Sequence, residues 1–445
     1  MCKKLFFSIL VMVALGLLVN PLAQAATRTW DHEGGDNRWD TAANWSNDKI
    51  PVGSDTARIV LTGADEARID AAVAAALGKI QVGWLVDDVA LAGDLRILGG
   101  TLDMTKASQV GRKSTGRLFV EGGILNARAI DIGDDAGGVG TFTMSDGVMN
   151  CGNSDVDWKT LFIGRDSATG SATISGGVLS TGTINVGHKL DSVGSLLISG
   201  GIINIGEALN TNAFTIANDG ATGTATILDG IINVSGNVNI GSDAGPDNLV
   251  PSDGILDMLG GTINVGTEGV DLRNFRIGHN DGVGVVNMSD GTVNINGGLI
   301  IGSTFIQIIE DPYEEIPHPG TGRLTMTGGL ITIPDANSLQ IGTNGSTGQL
   351  DLWGGTIMAG ALEIGEPGSG GLLDVRKGTL ILEGDRTEAI LGYVDAGLLT
   401  ASEGWELLYD YDVSNVGKTT VTAIPEPATI ALLGLGGLLF RRRRK

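Results

Sequence analysis

The chain is poor in cysteine, aromatics, proline and cations, and each shortage excludes something. Two cysteines stand in 445 residues, Cys2 and Cys151. Cys2 belongs to an N-terminal leader, which leaves one thiol behind it and no intramolecular disulfide. Aromatics make up 4% of the chain, so its core has to be filled by aliphatic side chains. Eleven prolines, and glycines without a three-residue period, exclude collagen. A charged fraction of 18% against 42% hydrophobic residues excludes charge-driven disorder. Lys and Arg number 29 against 51 Asp and Glu, a net charge of −22, which argues against a nucleic-acid partner.

Two segments read as processing signals. Lys3 and Lys4 precede an apolar run from Leu5 to Val19, and Ala23 and Ala25 put small residues at −3 and −1 of a cleavage site before Ala26. That order is a secretory signal peptide over residues 1–25. Near the other end, Pro425-Glu426-Pro427 precedes an apolar stretch from Ile430 to Phe440, then Arg441 to Arg444 and Lys445. As a helix the apolar stretch rises only about 17 Å, against the ~30 Å of a bilayer core. The terminal cations would keep that end on the cytoplasmic side. The two prolines would hold the preceding segment extended and open to an enzyme. Without the leader and the stretch from Ile430 onward the chain keeps 22 cations against 51 acids, a net −29.

Glycine is what the chain has in excess: 71 residues, about twice the usual share. A Gly-Gly or Asp-Gly pair recurs with its second Gly at 100, 123, 147, 177, 201, 230, 261, 291, 329 and 355, and Lys377-Gly378 adds another. Spacings run from 23 to 38, a base period of 23–24 with insertions. Aligned on that Gly, the residues five before (Leu95 to Leu373), three before (Ile97 to Val375) and two after (Leu102 to Leu380) are apolar in every repeat. Polar residues alternate between the first two columns, which is the period of a half-buried strand. A further strand ends in an Ile-Gly-like pair, as at Ile132-Gly133 and Ile301-Gly302.

The expected fold is therefore all-β: a parallel β-helix, or solenoid, of about eleven coils with three short strands each. Stacked at ~4.8 Å, the coils make a rod of roughly 50 Å. The expected organisation is a Trp-rich segment of N-terminal strands and cap over 26–90, the repeats over 91–383, a C-terminal cap over 384–423 and the Pro-Glu-Pro segment over 424–445. In the last cap, Thr387 to Ala396 reads as a short helix and Tyr409 to Val421 as strands.

Several residues invite chemistry. Asn126, Asn150, Asn204, Asn233, Asn264 and Asn294 occupy one position three after the anchor Gly, where stacked amides form a structural ladder. Acidic corners such as Asp134-Asp135 and Arg165-Asp166 could hold Ca²⁺ but suit Asx turns better; no cofactor is assigned. The segment from Ser303 to Gly322 reads as a protruding acidic, Tyr-bearing loop. Trp30, Trp39 and Trp45 suit a cap over the first coil or, alternatively, a sugar-stacking platform. This opening resembles the Trp-rich start of many exported bacterial repeat proteins. The four His are dispersed along the chain and Cys151 has no His nearby in sequence, so no catalytic residue is assigned. Thr141/Thr143, Thr181/Thr183 and Thr325/Thr327 stand as separate pairs in the sequence.

The Pro-Glu-Pro box, short apolar helix and Arg-rich end resemble the PEP-CTERM sorting signal. The resemblance implies transient membrane insertion by the C-terminal transmembrane-type helix and processing by an exosortase after the secretion machinery has acted. Delivery to the cell surface or extracellular matrix follows, in company with biofilm and exopolysaccharide export. The expected role is a non-catalytic structural or adhesive protein. A polysaccharide-binding or polysaccharide-degrading β-helix enzyme and an ice-binding protein are the alternatives.

Overall fold

In the computed structural model the described residues are 25–70, 74–152, 160–206, 212–244, 250–266, 272–310, 313–365 and 370–426. They form a parallel β-solenoid of about 12 turns. One sheet takes a strand from each coil in chain order. It begins at Thr27–Trp30, Thr56–Ile59 and Lys79–Val86, continues through Ile130–Asp134 and Thr160–Arg165, and ends at Ala361–Ile364. The strands of the Trp-rich segment thus belong to the same sheet as those of the repeats.

The columns aligned in sequence are columns in space. Leu118 stacks on Phe142, Phe142 on Ala172, Ala172 on Leu196 and Leu196 on Ala225, all in parallel register and all buried. Alternate residues face outward, so one aliphatic core runs along the axis and polar groups line the outside. The two strands flanking the anchor Gly often merge into one long strand, as in Thr115–Ala127, Val139–Cys151 and Val193–Ile205. The register shifts at the corner, where Gly123, Gly147 and Gly201 take φ of 70°, 87° and 87°. In those coils the expected corner is a kink within one strand, because only Gly enters that region without strain.

Both ends are covered. Trp30, Trp39 and Trp45 are 1%, 1% and 0% exposed at the first coil. At the other end the helix Thr387–Asp395 and the antiparallel hairpin Trp405–Tyr411/Lys418–Pro425 close the core. The helix lies where the sequence placed it. The strands expected over Tyr409 to Val421 are the two arms of that hairpin, which turns where Asp412 and Gly417 both adopt positive φ. The segment from Ser303 is likewise no open loop. Leu299–Glu310 pairs antiparallel with Tyr313–Pro319, so a first-sheet strand continues outward as a hairpin.

Candidate functional site

The Pro-Glu-Pro box begins inside the cap. Pro425 ends the last cap strand opposite Trp405, and the Glu426 N–H donates to the Gly404 carbonyl at 3.0 Å. Pro427 and the apolar stretch after it lie outside the described residues, as does Ala23; Ala25 is the first residue described, and exposed. Among the described residues no helix is long and apolar enough to cross a membrane.

The asparagines form two hydrogen-bonded runs. Asn150 Nδ2 donates to Asn126 Oδ1 (2.8 Å), and Asn126 Nδ2 to Asp103 Oδ1 (2.6 Å). Further on, Asn233 donates to Asn204 (2.9 Å), Asn264 to Asn233 (2.9 Å) and Asn294 to Asn264 (2.8 Å). The Thr332 hydroxyl then donates to Asn294 Oδ1 (2.7 Å). Ser180 sits between Asn150 and Asn204 and separates the runs. Asn264, Asn294 and Thr332 also edge an open cleft of about 590 Å³, whose other walls include Asp335, Met358, Glu383 and Lys418.

On the outer side of the first sheet, Asp134, Asp135 and Asp166 bring carboxylate oxygens within 4.8 Å of one another. Cations already occupy that space. Arg112 Nε lies 2.8 Å from Asp135 and 3.4 Å from Asp134, Arg165 Nε 3.1 Å from Asp166, and Lys189 Nζ 2.6 Å from Asp166. Asp131 is deeper; burial pushes its carboxyl up to about 6 although Arg165 Nη1 lies 3.4 Å away. Burial raises Asp134 too, whereas Arg112 and Lys113 overcome burial at Asp135 and hold it below the ordinary range. The arrangement is an ion-pair ladder in which arginines take the place a cation would need.

The histidines do not converge. His188 and His279 share one outward column, with Asn218 and Ser242 between them, so they stand roughly 14 Å apart. Burial lowers His188 to about 4 and lowers His279 as well. His318 Nδ1 meets Asp281 Oδ2 at 2.6 Å, tying the projecting hairpin to the coil beneath. Cys151 is buried, with its thiol pushed up to about 12 by desolvation, which keeps it out of nucleophilic chemistry. The N-terminal tryptophans pack edge to face, with Trp45 5.1 Å from Trp30 and 4.7 Å from Trp39. Their buried rings offer no platform to a sugar.

One surface was not legible in the sequence. Parallel register joins Thr141 and Thr143 to Ser171 and Thr173, then to Ser195 and Leu197, then to Thr224 and Thr226. Val139, Thr169, Val193 and Thr222 make a third outward row beside them. Rows repeat at ~4.8 Å between coils and roughly 6.6 Å along a strand. This array of hydroxyls and methyls carries no charge over four coils and ends at Arg117 on one side and at Asp253 and Asp257 on the other. Unequal coil lengths hide it in the sequence, where the same residues fall 24 to 30 apart.

Residues 423–445 match the model of the PEP-CTERM protein-sorting motif. No curated protein and no solved structure matches the chain. The motif implies exosortase processing, export and a cell-surface or extracellular destination. The chain is thus a parallel β-solenoid whose C-terminus carries a PEP-CTERM sorting motif.

Proposed function

We propose that this protein is a non-catalytic, rod-shaped structural and adhesive component of the cell surface or extracellular matrix, in contact with exopolysaccharide. The observation that carries the reading is the neutral hydroxyl array on an otherwise acidic solenoid joined to a sorting motif. A rigid sheet presents those groups without loss of backbone freedom on binding, and a neutral, repeating polymer meets no charge there. The test uses the exported protein and polysaccharide extracted from the producing cells. Co-sedimentation is expected for the wild type and at least a fivefold loss for Thr141→Glu/Ser195→Glu, with far-UV circular dichroism unchanged. Equal binding by both proteins, or none by either, overturns the adhesive role, and turnover of the polysaccharide overturns the non-catalytic one.

The same array favours a second reading, adsorption to an ordered neutral surface such as ice, since its spacings repeat in two directions. Suppression of ice recrystallisation by the wild type, lost in the same double variant, would support it. Absence of suppression by the wild type excludes it.

A further inference from the structure

The strand Lys418–Pro425 is held on both sides. Leu380–Glu383 of the last coil pairs with Lys418–Val421, and Trp405–Tyr411 pairs with Thr419–Pro425. Val421 is fully buried and Ala423 nearly so, so the strand is anchored in the core up to two residues before the sorting box. Its last rungs are Glu406 opposite Ile424 and Trp405 opposite Pro425, and the Glu426 N–H is then taken by the Gly404 carbonyl. The first two residues of Pro-Glu-Pro are therefore residues of the folded cap and not of a spacer. A peptidase that reads an extended segment needs its backbone groups free to pair with the enzyme. Here the Glu426 N–H is already spent, and Pro425 has none to offer.

We propose that the cap holds the sorting box in an autoinhibitory contact, and that residues 424–426 must leave Gly404–Glu406 before the processing enzyme can engage them. This rests on the exosortase reading of the motif and adds a regulation to it: processing is gated by fraying of the cap's last rungs. The contact is one hydrogen bond and two end pairs with Ile424 43% exposed, so the gate is shallow. Its removal is expected to speed processing about fivefold.

The experiment follows processing of the full chain by pulse-chase in a host that carries an exosortase. Inserting eight Gly and Ser residues between Ile424 and Pro425 is expected to raise the rate about fivefold. Glu406→Cys with Ile424→Cys puts two exposed, directly opposed thiols on the last rung. Their disulfide should slow processing at least fivefold, and reductant should restore it; the buried Cys151 does not compete. Hydrogen exchange on the unprocessed protein should find the Glu426 amide protected in the wild type and unprotected in the insertion variant. Glu426→Ala, which alters the box itself, should block processing. If Glu426→Ala is processed like wild type, the sorting reading fails. If it is blocked while insertion and lock stay within twofold of wild type, or if the wild-type Glu426 amide exchanges freely, the gate fails and the sorting reading stands.

Discussion

At the residue scale, one column of glycines is closely confined although its backbone angles are ordinary. Every repeat has a Gly seven residues before the anchor, from Gly93 to Gly371. That column is as visible in the sequence as the apolar ones, but its meaning is tertiary. A Cβ on Gly140 would lie 2.0 Å from the Gly133 nitrogen and 2.5 Å from the Val110 carbonyl oxygen, backbone that cannot move aside. Gly140→Ala is expected to cost about 3 kcal/mol in denaturant unfolding. Gly137→Ala, three residues away with φ of 82° and nothing within 4 Å, should cost only about 1 kcal/mol. Equal costs would mean that the facing backbone gives way and that close approach does not select glycine at position 140. Two buried titrating groups give a second test. Asp131, raised from 3.8 to about 6 by burial, holds its proton more tightly in the fold. Its contribution to stability is complete below about pH 4 and is lost as pH rises through about 6. His188, lowered from 6.5 to about 4 by burial, contributes above about pH 6.5 and loses that as pH falls through about 4. The two slopes oppose each other between about pH 4 and 6. Asp131→Asn removes the slope that opposes the histidine one, so its stability should drop about 2 kcal/mol further than wild type between pH 6.5 and pH 4. Matching pH profiles for the two proteins would show that the Asp131 carboxyl ionises normally in the fold.

At the scale of elements, stacking turns a weak side-chain preference into a repeated interaction. An Asn amide has one donor and one acceptor to spare for each neighbouring coil, and a parallel spacing near 4.8 Å is what an amide ladder needs. Asn264→Ala removes two rungs at once, to Asn233 and from Asn294, and should cost about 2 kcal/mol in thermal unfolding. Ser180→Asn should instead join the two runs and raise stability by about 1 kcal/mol; a loss there would show that its corner cannot accept the larger side chain. These columns are legible in the sequence because each residue class recurs at one offset from the anchor Gly. The outer hydroxyl array is not, since it depends on which coils lie side by side, and insertions blur that. The projecting hairpin after Leu299 escapes for another reason: its pairing is antiparallel and follows no period, the shorter hairpin of Trp84–Val86 with Val89–Leu91 lying far from it in the chain, so no repeat announces it. The gated sorting box is invisible for the same cause, because Pro425 reads as a strand-breaker until Trp405 is found opposite it.

At the scale of the whole molecule, about 12 coils of ~4.8 Å give a rod of roughly 60 Å in which each coil touches only its neighbours. Stability in such a column is a sum of local terms, and the weak points are the two ends, where a coil has a neighbour on one side only. The N-terminal end answers this with Trp45, fully buried between Trp30 and Trp39 and donating its indole N–H to the Trp39 carbonyl at 2.8 Å. Trp45→Ala should cost about 3 to 5 kcal/mol, but only in the coils it covers. Hydrogen exchange should show Thr27–Trp30 and Thr56–Ile59 losing protection first, while Val193–Ile205 in the middle keeps its own. The prediction separates two kinds of rod. Protection lost evenly along all coils would mean that the solenoid unfolds as one cooperative unit whose ends are no weaker than its centre. Loss confined to the first coils would mean that the tryptophan cluster acts as a plug, holding shut an end that the repeat itself cannot close.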